Sequence, residues 1–188
     1  MSEPNLINQA RQGDEAAWLQ LINQHQEAVF RLAYLLLTDA DEAQDAAQEV
    51  FIRAFHSLGR FDANRPLRPW LLRITTNLAR NRLRAVGRYL AALNRWRQAE
   101  PEAVEPNPQD KQARQDEAHS LWQAVRRLNR ADQEVIYLRY FLELSVAETA
   151  EATGIAPGTI KSRLHRALNR LRAVVTEEFP ILHEEHIG

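Results

Sequence analysis

Basic and hydroxyl side chains between residues 157 and 173 have the spacing of a helix that contacts DNA. Ser145 and Glu148 predict a capping box at the start of a short preceding helix. Gly154 suits the left-handed end of that helix, and Pro157 suits the first position of a second one. The second helix carries five basic residues and no acidic residue. A helix–turn–helix places the amino-terminal half of such a helix in the major groove. The candidates for contact with bases or phosphates are Thr159, Lys161, Ser162, Arg163 and Arg166.

A second basic segment, from Trp70 to Arg84, combines arginines with amide side chains. Its apolar stripe contains Leu71, Ile74 and Leu78. The polar stripe beside it consists of Arg73, Asn77, Arg80, Asn81 and Arg84. Amides read base edges and arginines hold phosphates, so this pattern favours contact with single-stranded or melted DNA. Trp70 fits a core position better than a platform on which a base stacks.

A third segment, from Asp39 to Glu49, contains five acids and no base. Such a face is usually solvated surface, although Asp41, Asp45 and Glu49 share a helical face and could form the metal site of a nuclease. No histidine or phosphate-binding loop accompanies these carboxylates, and His183 with His186 fits an acidic tail better than a metal site. We therefore expect no catalytic residue, no metal and no cofactor.

Helices must position all three segments, because alternating strand patterns are absent and glycines fall mostly at breaks. Asp14 and Asp39 suit the N-caps of two of these helices. The first predicted helix begins after Asp14. The other predicted helices cover about 26–37, 39–58, 70–84, 116–128, 131–142, 145–153 and 157–176. Residues 61–69 contain two prolines and predict a loop, and Gly87 marks a pause in the basic helix. The sequence therefore predicts an all-α protein.

The net charge of −1 conceals a strong segregation of charge along the chain. Residues 60–97 contain ten arginines and a single acid, Asp62. Two basic blocks and one acidic block indicate two surfaces for nucleic acid and a separate surface for a protein. The absence of cysteine excludes disulfides and thiol chemistry. No apolar run of about 18 residues and no signal peptide is present, so we expect a cytoplasmic protein without membrane insertion.

Four blocks of this sequence together closely resemble the extracytoplasmic-function (ECF, group IV) sigma factors of bacterial RNA polymerase, in the sigma-70 family. The blocks are Val29–Tyr34, Asp45–Phe55, Trp70–Asn77 and Gly158–Arg166, and their order and spacing match over about residues 10–175. The resemblance implies two small helical domains without a region 3 domain between them. The region 2-like domain would cover 1–97, an acidic, proline-rich and flexible linker 98–115, and the region 4-like helix–turn–helix domain with an acidic tail 116–188.

The resemblance also implies a role for each charged surface. The −10 promoter element would be bound by Asn64, Arg65, Arg68, Trp70, Arg73, Asn77, Arg80, Asn81 and Arg84. The −35 element would be bound by Thr159, Lys161, Ser162, Arg163, His165, Arg166 and Arg170. The β′ clamp helices of core polymerase would be bound by Asp45, Gln48, Glu49, Ile52 and Arg53. The helix–turn–helix would also touch the β flap, and an anti-sigma factor would be a further partner.

Three departures from the family pattern and two alternatives accompany this interpretation. Ala156 stands where an N-capping Ser or Thr is usual, which costs the helix about 1 kcal/mol. Pro66 and Pro69 change the loop before Trp70, and Ala46 and Ala47 weaken the docking face.

The carboxy-terminal motif alone also fits a stand-alone helix–turn–helix regulator or an amphipathic hairpin in a bundle. The basic amino-terminal half argues against a separate sensor domain.

Overall fold

The computed structural model describes residues 2–96 and 113–178, which form eight α helices and no strand. The helices are α1 (Glu3–Arg11), α2 (Glu15–Leu37), α3 (Ala40–Ser57), α4 (Leu67–Trp96), α5 (Ala113–Arg127), α6 (Arg130–Ile136), α7 (Val146–Thr153) and α8 (Pro157–Glu178). A 3₁₀ turn follows α3 at Leu58–Arg60, and a π-helical turn follows α6 at Tyr137–Phe141. The predicted all-α class is confirmed. Most of the predicted linker and the tail from residue 179 lie outside the described residues.

Side-chain caps begin several of these helices where the sequence predicts them. Asp14 accepts hydrogen bonds from the backbone N–H groups of Ala16 and Ala17 at the start of α2. Asp39 accepts the N–H of Glu42 at 2.8 Å at the start of α3. Each cap satisfies amide groups that have no partner within the helix, so these boundaries are local properties of the sequence.

The structure corrects three predicted boundaries. Helix α2 is continuous over 23 residues, not broken near residue 25, because His25 is buried and continues its apolar stripe. Helix α4 begins at Leu67, so Pro69 and Trp70 lie in its first turn, where proline needs no hydrogen-bonding partner. The same helix runs through Gly87 to Trp96 without a pause. Helix α1 was not predicted.

Two clusters of buried apolar side chains hold the helices together. The first contains Leu21, Val50 and Leu71 among others and joins α1, α2, α3 and α4. The second lies among α5, α6, α7 and α8, and it also contains Leu32, Leu35 and Leu72 from the amino-terminal half. The carboxy-terminal helices therefore pack directly against α2 and α4.

The capping box of α7 makes the stability of the carboxy-terminal half sensitive to acid. Glu148 accepts the N–H of Ser145 at 2.7 Å, and the Ser145 hydroxyl accepts the N–H of Glu148 at 3.1 Å. The hydrogen bond from the Ser145 backbone is the main cause that lowers the pKa of Glu148. A carboxylate with a lowered folded pKa stabilises the fold above its unfolded pKa of about 4.3, and this contribution is lost as the pH falls through the folded value.

We therefore predict that Glu148→Gln lowers the melting temperature at neutral pH and flattens its decline in acid. The loss of a cap costs about 1 kcal/mol. Thermal unfolding followed by circular dichroism between about pH 7 and pH 3 measures both effects. Glu177→Gln, at an exposed position near the end of α8, should leave the curve unchanged. An identical pH slope in Glu148→Gln and the unsubstituted protein would contradict this assignment.

Candidate nucleic-acid interface

The loop before α4 presents two of the predicted −10 residues to solvent. The side chain of Asp62 accepts the backbone N–H of Asn64 at 3.0 Å, and its carbonyl accepts the N–H of Arg65 at 3.0 Å. This turn leaves Asn64 and Arg65 exposed. Trp70 is half-buried against the first apolar cluster, and its ring centroid lies 4.7 Å from that of Phe61.

Helix α4 carries the polar stripe on its outer face. Leu71 and Leu78 are buried in the first cluster, and Ile74 packs against it. The exposed members of the stripe are Arg73, Asn77, Asn81 and Arg84, whereas Arg80 is half-buried. Side chains that offer amides and guanidinium groups to solvent along one helix face can contact a phosphate backbone and base edges.

Arg80 is held by an acid of the carboxy-terminal half. Its guanidinium donates to both carboxylate oxygens of Glu134, at 2.5 and 3.0 Å. Glu134 is only 4% exposed, and burial raises its pKa against the opposing effect of Arg80. Removing one member of such a buried pair leaves an uncompensated charge, so this contact ties α6 to α4.

Three further predicted −10 residues meet the carboxy-terminal half. Arg65 forms an ion pair with Glu151 at 2.6 Å, and Arg68 donates to the carbonyl of Leu142 at 2.9 Å. The guanidinium of Arg73 lies against Gly154, where a Cβ atom would be 3.3 Å from its Nη2. An open cleft of about 320 Å³ between α4 and α6 is lined by Arg80, Arg84, Arg130 and Glu134 among others. In this arrangement, two carboxylates and one carbonyl of the carboxy-terminal half hold the guanidinium groups of Arg65, Arg80 and Arg68.

Helix α8 separates the predicted −35 residues into an outer face and a flank. Ile160 and Ala167 are buried and fix the inner face. The outer face carries Thr159, Lys161, Ser162, His165 and Arg166, all of them exposed. Arg163 is half-buried, and Arg170 donates to the buried carboxylate of Asp132 on α6. The hydrogen bonds of Ser162 and His165 stay within α8, to Thr159 and Asn169, whereas Arg170 fastens α8 to α6.

The turn between α7 and α8 places the outer face of α8 in the geometry of a helix–turn–helix. Gly154 has a left-handed backbone with φ of 73°, and its N–H donates to the carbonyl of Ala150 at 2.9 Å. Ala156 accepts the N–H of Ile160 through its carbonyl, and its methyl side chain offers no capping oxygen. The amino end of α8 is thus open to an anion from outside.

Helix α3 presents a mixed acidic and apolar surface, which Arg82 of α4 borders. Asp45, Gln48, Ile52 and Arg53 are exposed, and Ile52 is 58% exposed. Glu49 is half-buried and accepts hydrogen bonds from Arg53 at 2.5 Å and Arg82 at 3.0 Å. The bond from Arg82 is the main cause that lowers the pKa of Glu49, so this carboxylate stays charged.

An apolar groove adjoins this surface. It lies between α2 and α3, measures about 400 Å³ and is lined by Ile22, Phe30, Ala47 and Phe51 among others. Phe55, one turn beyond Phe51, is 48% exposed. Its lining also includes Gln26, Glu27, Gln44 and Gln48, so apolar and mostly uncharged polar side chains meet there, which is a composition common in protein interfaces.

A metal centre finds no support in the part of the chain that the structure describes. Within residues 2–96 and 113–178, no group of three or more His, Cys, Asp or Glu side chains is arranged to hold a metal ion. His183 and His186 lie outside the described residues. No helix among the described residues has the length and apolar character needed to cross a membrane.

Sequence reasoning did not find the acids that meet the predicted DNA-binding arginines. Asp132 and Glu134 are both buried and pair with Arg170 and Arg80. A signal was present, because Glu134 directly precedes the apolar run Val135–Leu138. An acid that is buried with such a run requires a basic partner. The identity of that partner depends on tertiary packing.

Comparison with known proteins gives two family matches. The family model for Sigma-70 region 2 matches residues 21–89, and the model for Sigma-70, region 4 matches residues 118–171. The ECF RNA polymerase sigma factor SigW of Bacillus subtilis is 34% identical over 175 residues, which cover 88% of this chain and 92% of SigW. The RNA polymerase sigma factor NccH of Alcaligenes xylosoxydans xylosoxydans is 32% identical over 181 residues, covering 93% and 97% of the two chains.

Two solved structures share this architecture. One is CnrH in complex with the cytosolic domain of CnrY, with a TM-score of 0.69 and 26% identity, covering 94% of this chain and 98% of CnrH. The other is the sigma factor RpoE with the anti-sigma factor NepR from Bartonella quintana, with a TM-score of 0.65 and 27% identity, covering 85% and 96% of the chains. This chain therefore belongs to the ECF sigma factors of the sigma-70 family, the promoter-specific initiation factors of RNA polymerase.

Proposed function

We propose that this sigma factor divides its work between its two helical halves. Residues 1–97 dock on core polymerase and bind the melted −10 element, residues 116–188 bind the −35 element as duplex, and residues 98–115 link them. The observation that carries this proposal is the sorting of charge: an acidic and apolar surface on α3, and basic outer faces on α4 and α8. Its mechanism is binding and positioning, without a covalent step.

Each surface has a set of contact residues. The −10 set is Asn64, Arg65, Arg68, Trp70, Arg73, Asn77, Arg80, Asn81 and Arg84. The −35 set is Thr159, Lys161, Ser162, Arg163, His165, Arg166 and Arg170. The set for the β′ clamp helices is Asp45, Gln48, Glu49, Ile52 and Arg53, and the helix–turn–helix also touches the β flap. Exposure of the two asparagines on α4 and of the outer face of α8 supports these assignments.

The packed arrangement of the two halves bears on how DNA is bound. Arg65, Arg68 and Arg80 make polar contacts with the carboxy-terminal half. A DNA strand cannot bind these guanidinium groups while Glu134, Glu151 and the Leu142 carbonyl accept their hydrogen bonds. The two halves must therefore part before both promoter elements are bound, and core polymerase supplies the binding free energy for that separation.

This competition predicts that the double substitution Glu134→Gln with Glu151→Gln increases the affinity of the free protein for single-stranded DNA about tenfold. The Arg65–Glu151 pair is partly exposed and contributes little, whereas the buried Glu134 carboxylate contributes more. A combined loss of about 1.4 kcal/mol from the closed arrangement corresponds to that tenfold change. Fluorescence anisotropy with a labelled random-sequence oligonucleotide measures the affinity.

A variant with the same change in net charge serves as the reference. Glu143→Gln with Glu177→Gln alters two exposed acids that take part in neither ion pair between the halves. Its affinity should rise much less, by the general effect of charge alone. Equal affinities in the two double variants would show that closure does not restrict access to DNA.

A regulatory partner and a location follow from the same comparison. CnrH and RpoE were solved with the cytosolic domain of CnrY and with the anti-sigma factor NepR. We extend this to an anti-sigma factor that binds the present chain, and to a cytoplasmic location, where core polymerase acts. Co-purification of the chain from its own bacterium, with mass spectrometry of the bound proteins, would identify such a partner.

Selection of DNA from a random duplex pool tests the proposed function. With core polymerase and this chain together, the enriched duplexes should share two short sequence blocks at a fixed separation. The chain alone should enrich few sequences, because without the polymerase its two DNA-binding surfaces are not held at a fixed distance from each other. Tight and specific enrichment by the chain alone would favour a stand-alone helix–turn–helix regulator.

A further inference from the structure

Helix α1 lies against both ends of the loop at residues 61–66, which in the proposed function receives the melted −10 element. The helix precedes residues 21–89, the part of the chain that the region 2 family model matches. Leu6 and Ile7 are fully buried in the first apolar cluster and hold α1 in place. Two of its polar residues, one near each end of the helix, reach the loop.

Glu3 caps the amino end of α4 from a distance in sequence. Its Oε2 accepts the backbone N–H of Leu67, the first residue of α4, at 3.0 Å. Pro66, immediately before α4, has no side-chain oxygen that could cap the helix. A carboxylate at this position satisfies an amide without an intrahelical partner and interacts favourably with the helix dipole. The end of the loop is thus fixed by a residue 64 positions away.

His25 orients the Glu3 carboxylate. The Nε2 atom of His25 lies 3.0 Å from Oε1 of Glu3, while the other carboxylate oxygen is used for Leu67. His25 is 8% exposed, and its burial lowers the pKa of its imidazole. The imidazole is therefore neutral at pH 7, with Nε2–H donating to Glu3. A buried donor of this kind holds the carboxylate in the position that the cap requires.

Arg11 fixes the beginning of the loop. Its Nε donates to the carbonyl of Leu58 at 3.0 Å, and its Nη2 donates to the carbonyl of Phe61. A third bond, from Nη1 to Oδ1 of Asn8 at 3.1 Å, holds the guanidinium in place. The planar guanidinium can serve several carbonyls at once, which an ammonium group on a flexible stem does less well.

We propose that α1 is a positioning element for the promoter loop, with Glu3 and Arg11 as its positioning residues. Because only five residues separate Phe61 from Leu67, displacement of either end moves Asn64 and Arg65 relative to α4. Contacts of this kind require placement within about 0.5 Å, so loss of either fixed end should impair promoter binding without affecting the docking surface on α3. The role of the loop rests on the proposed function, whereas its fixation by α1 does not.

Hydrogen exchange on the free protein tests the fixation directly. In Glu3→Ala, the amide of Leu67 should exchange at least tenfold faster, and in Arg11→Ala, peptides covering 58–66 should do so. Asn5→Ala, an exposed position on the same helix, should leave both unchanged. Unchanged exchange in the first two variants would overturn the inference. If Glu3→Ala fails to fold, Glu3→Gln, which keeps the side-chain size, should still accelerate exchange at Leu67.

Transcription with core polymerase tests the consequence for promoter use. On genomic DNA fragments, Glu3→Ala and Arg11→Ala should give at least fivefold fewer promoter-dependent transcripts, while their affinity for core polymerase stays within twofold. Arg11→Lys should resemble Arg11→Ala, since a lysine cannot reproduce the paired carbonyl contacts. Full transcription in these variants, or a loss matched by weaker core binding, would overturn the inference.

The two proposals fail in different ways. If the unsubstituted chain yields no promoter-dependent transcript with any bacterial core polymerase, the proposed function is wrong. The hydrogen-exchange comparison then still decides whether α1 fixes the loop. If the unsubstituted chain, the control Asn5→Ala and the variants Glu3→Ala and Arg11→Ala all transcribe normally, only the positioning role is wrong.

Discussion

Ile52→Asp is expected to lower the affinity of this sigma factor for core RNA polymerase by about 30- to 100-fold while leaving its thermal stability unchanged. Ile52 is 58% exposed, so its replacement removes almost nothing from the apolar core. In the complex, however, its side chain would be desolvated beside Gln48 and the groove between α2 and α3. A carboxylate buried there without a partner costs several kcal/mol, and the apolar contact is lost as well.

Val86→Asp provides the matched comparison for this prediction. Val86 is 55% exposed, lies on α4 and belongs to none of the proposed contact sets. Both variants introduce the same charge at a similarly exposed aliphatic position, and only Ile52→Asp should weaken binding. Titration of fluorescently labelled protein with core polymerase gives both affinities. Equal affinities would mean that α3 does not carry the polymerase contact.

The double substitution Lys161→Ala with Arg166→Ala is expected to reduce promoter-dependent transcription by about 100-fold. Both side chains lie on the outer face of α8 and are exposed. A specific contact between a basic side chain and a base contributes about 1–3 kcal/mol, so the loss of two contacts gives an effect of this size. Neither substitution touches Ile160 or Ala167, the buried residues of the inner face, so the domain should remain folded.

The salt dependence of binding distinguishes the two kinds of contact that these residues can make. If both side chains contact phosphates only, binding by the complete polymerase complex weakens equally on all sequences, and the salt slope falls by about two. If they read bases, the variant also loses its preference for the −35 block. Arg172→Ala removes a charge further along the same helix and should change transcription by less than about threefold. A large loss in Arg172→Ala together with normal transcription in the double variant would mean that the carboxy-terminal half of α8, and not its amino-terminal half, contacts the promoter.

The helices and their caps were largely predictable because their signals are local. Asp14, Asp39 and Ser145 each satisfy amides within the next three residues, so sequence spacing alone locates three helix starts. The continuity of α2 was not predictable in the same way. His25 interrupts the apolar pattern by residue type, yet it is buried because Glu3, 22 residues earlier, supplies its hydrogen-bonding partner.

The candidate site shows the same division between local and long-range information. The polar stripe of α4 follows from helical periodicity, and the structure places Asn77 and Asn81 in solvent as the pattern indicates. The partner of Arg80 is Glu134, 54 positions later, and only the packing of α6 on α4 brings the two together. The sequence therefore predicts which side chains can contact DNA, and tertiary structure determines which of them are already occupied.

Transcription of fragmented genomic DNA, with the 5′ ends of the transcripts mapped, tests the central claim most directly. Core polymerase and this chain together should produce transcripts from a small set of start sites, each preceded by the same two sequence blocks. Core polymerase alone, and core polymerase with Ile52→Asp, should not use these sites. Identical start sites with and without the chain would contradict its role as a promoter-specific initiation factor.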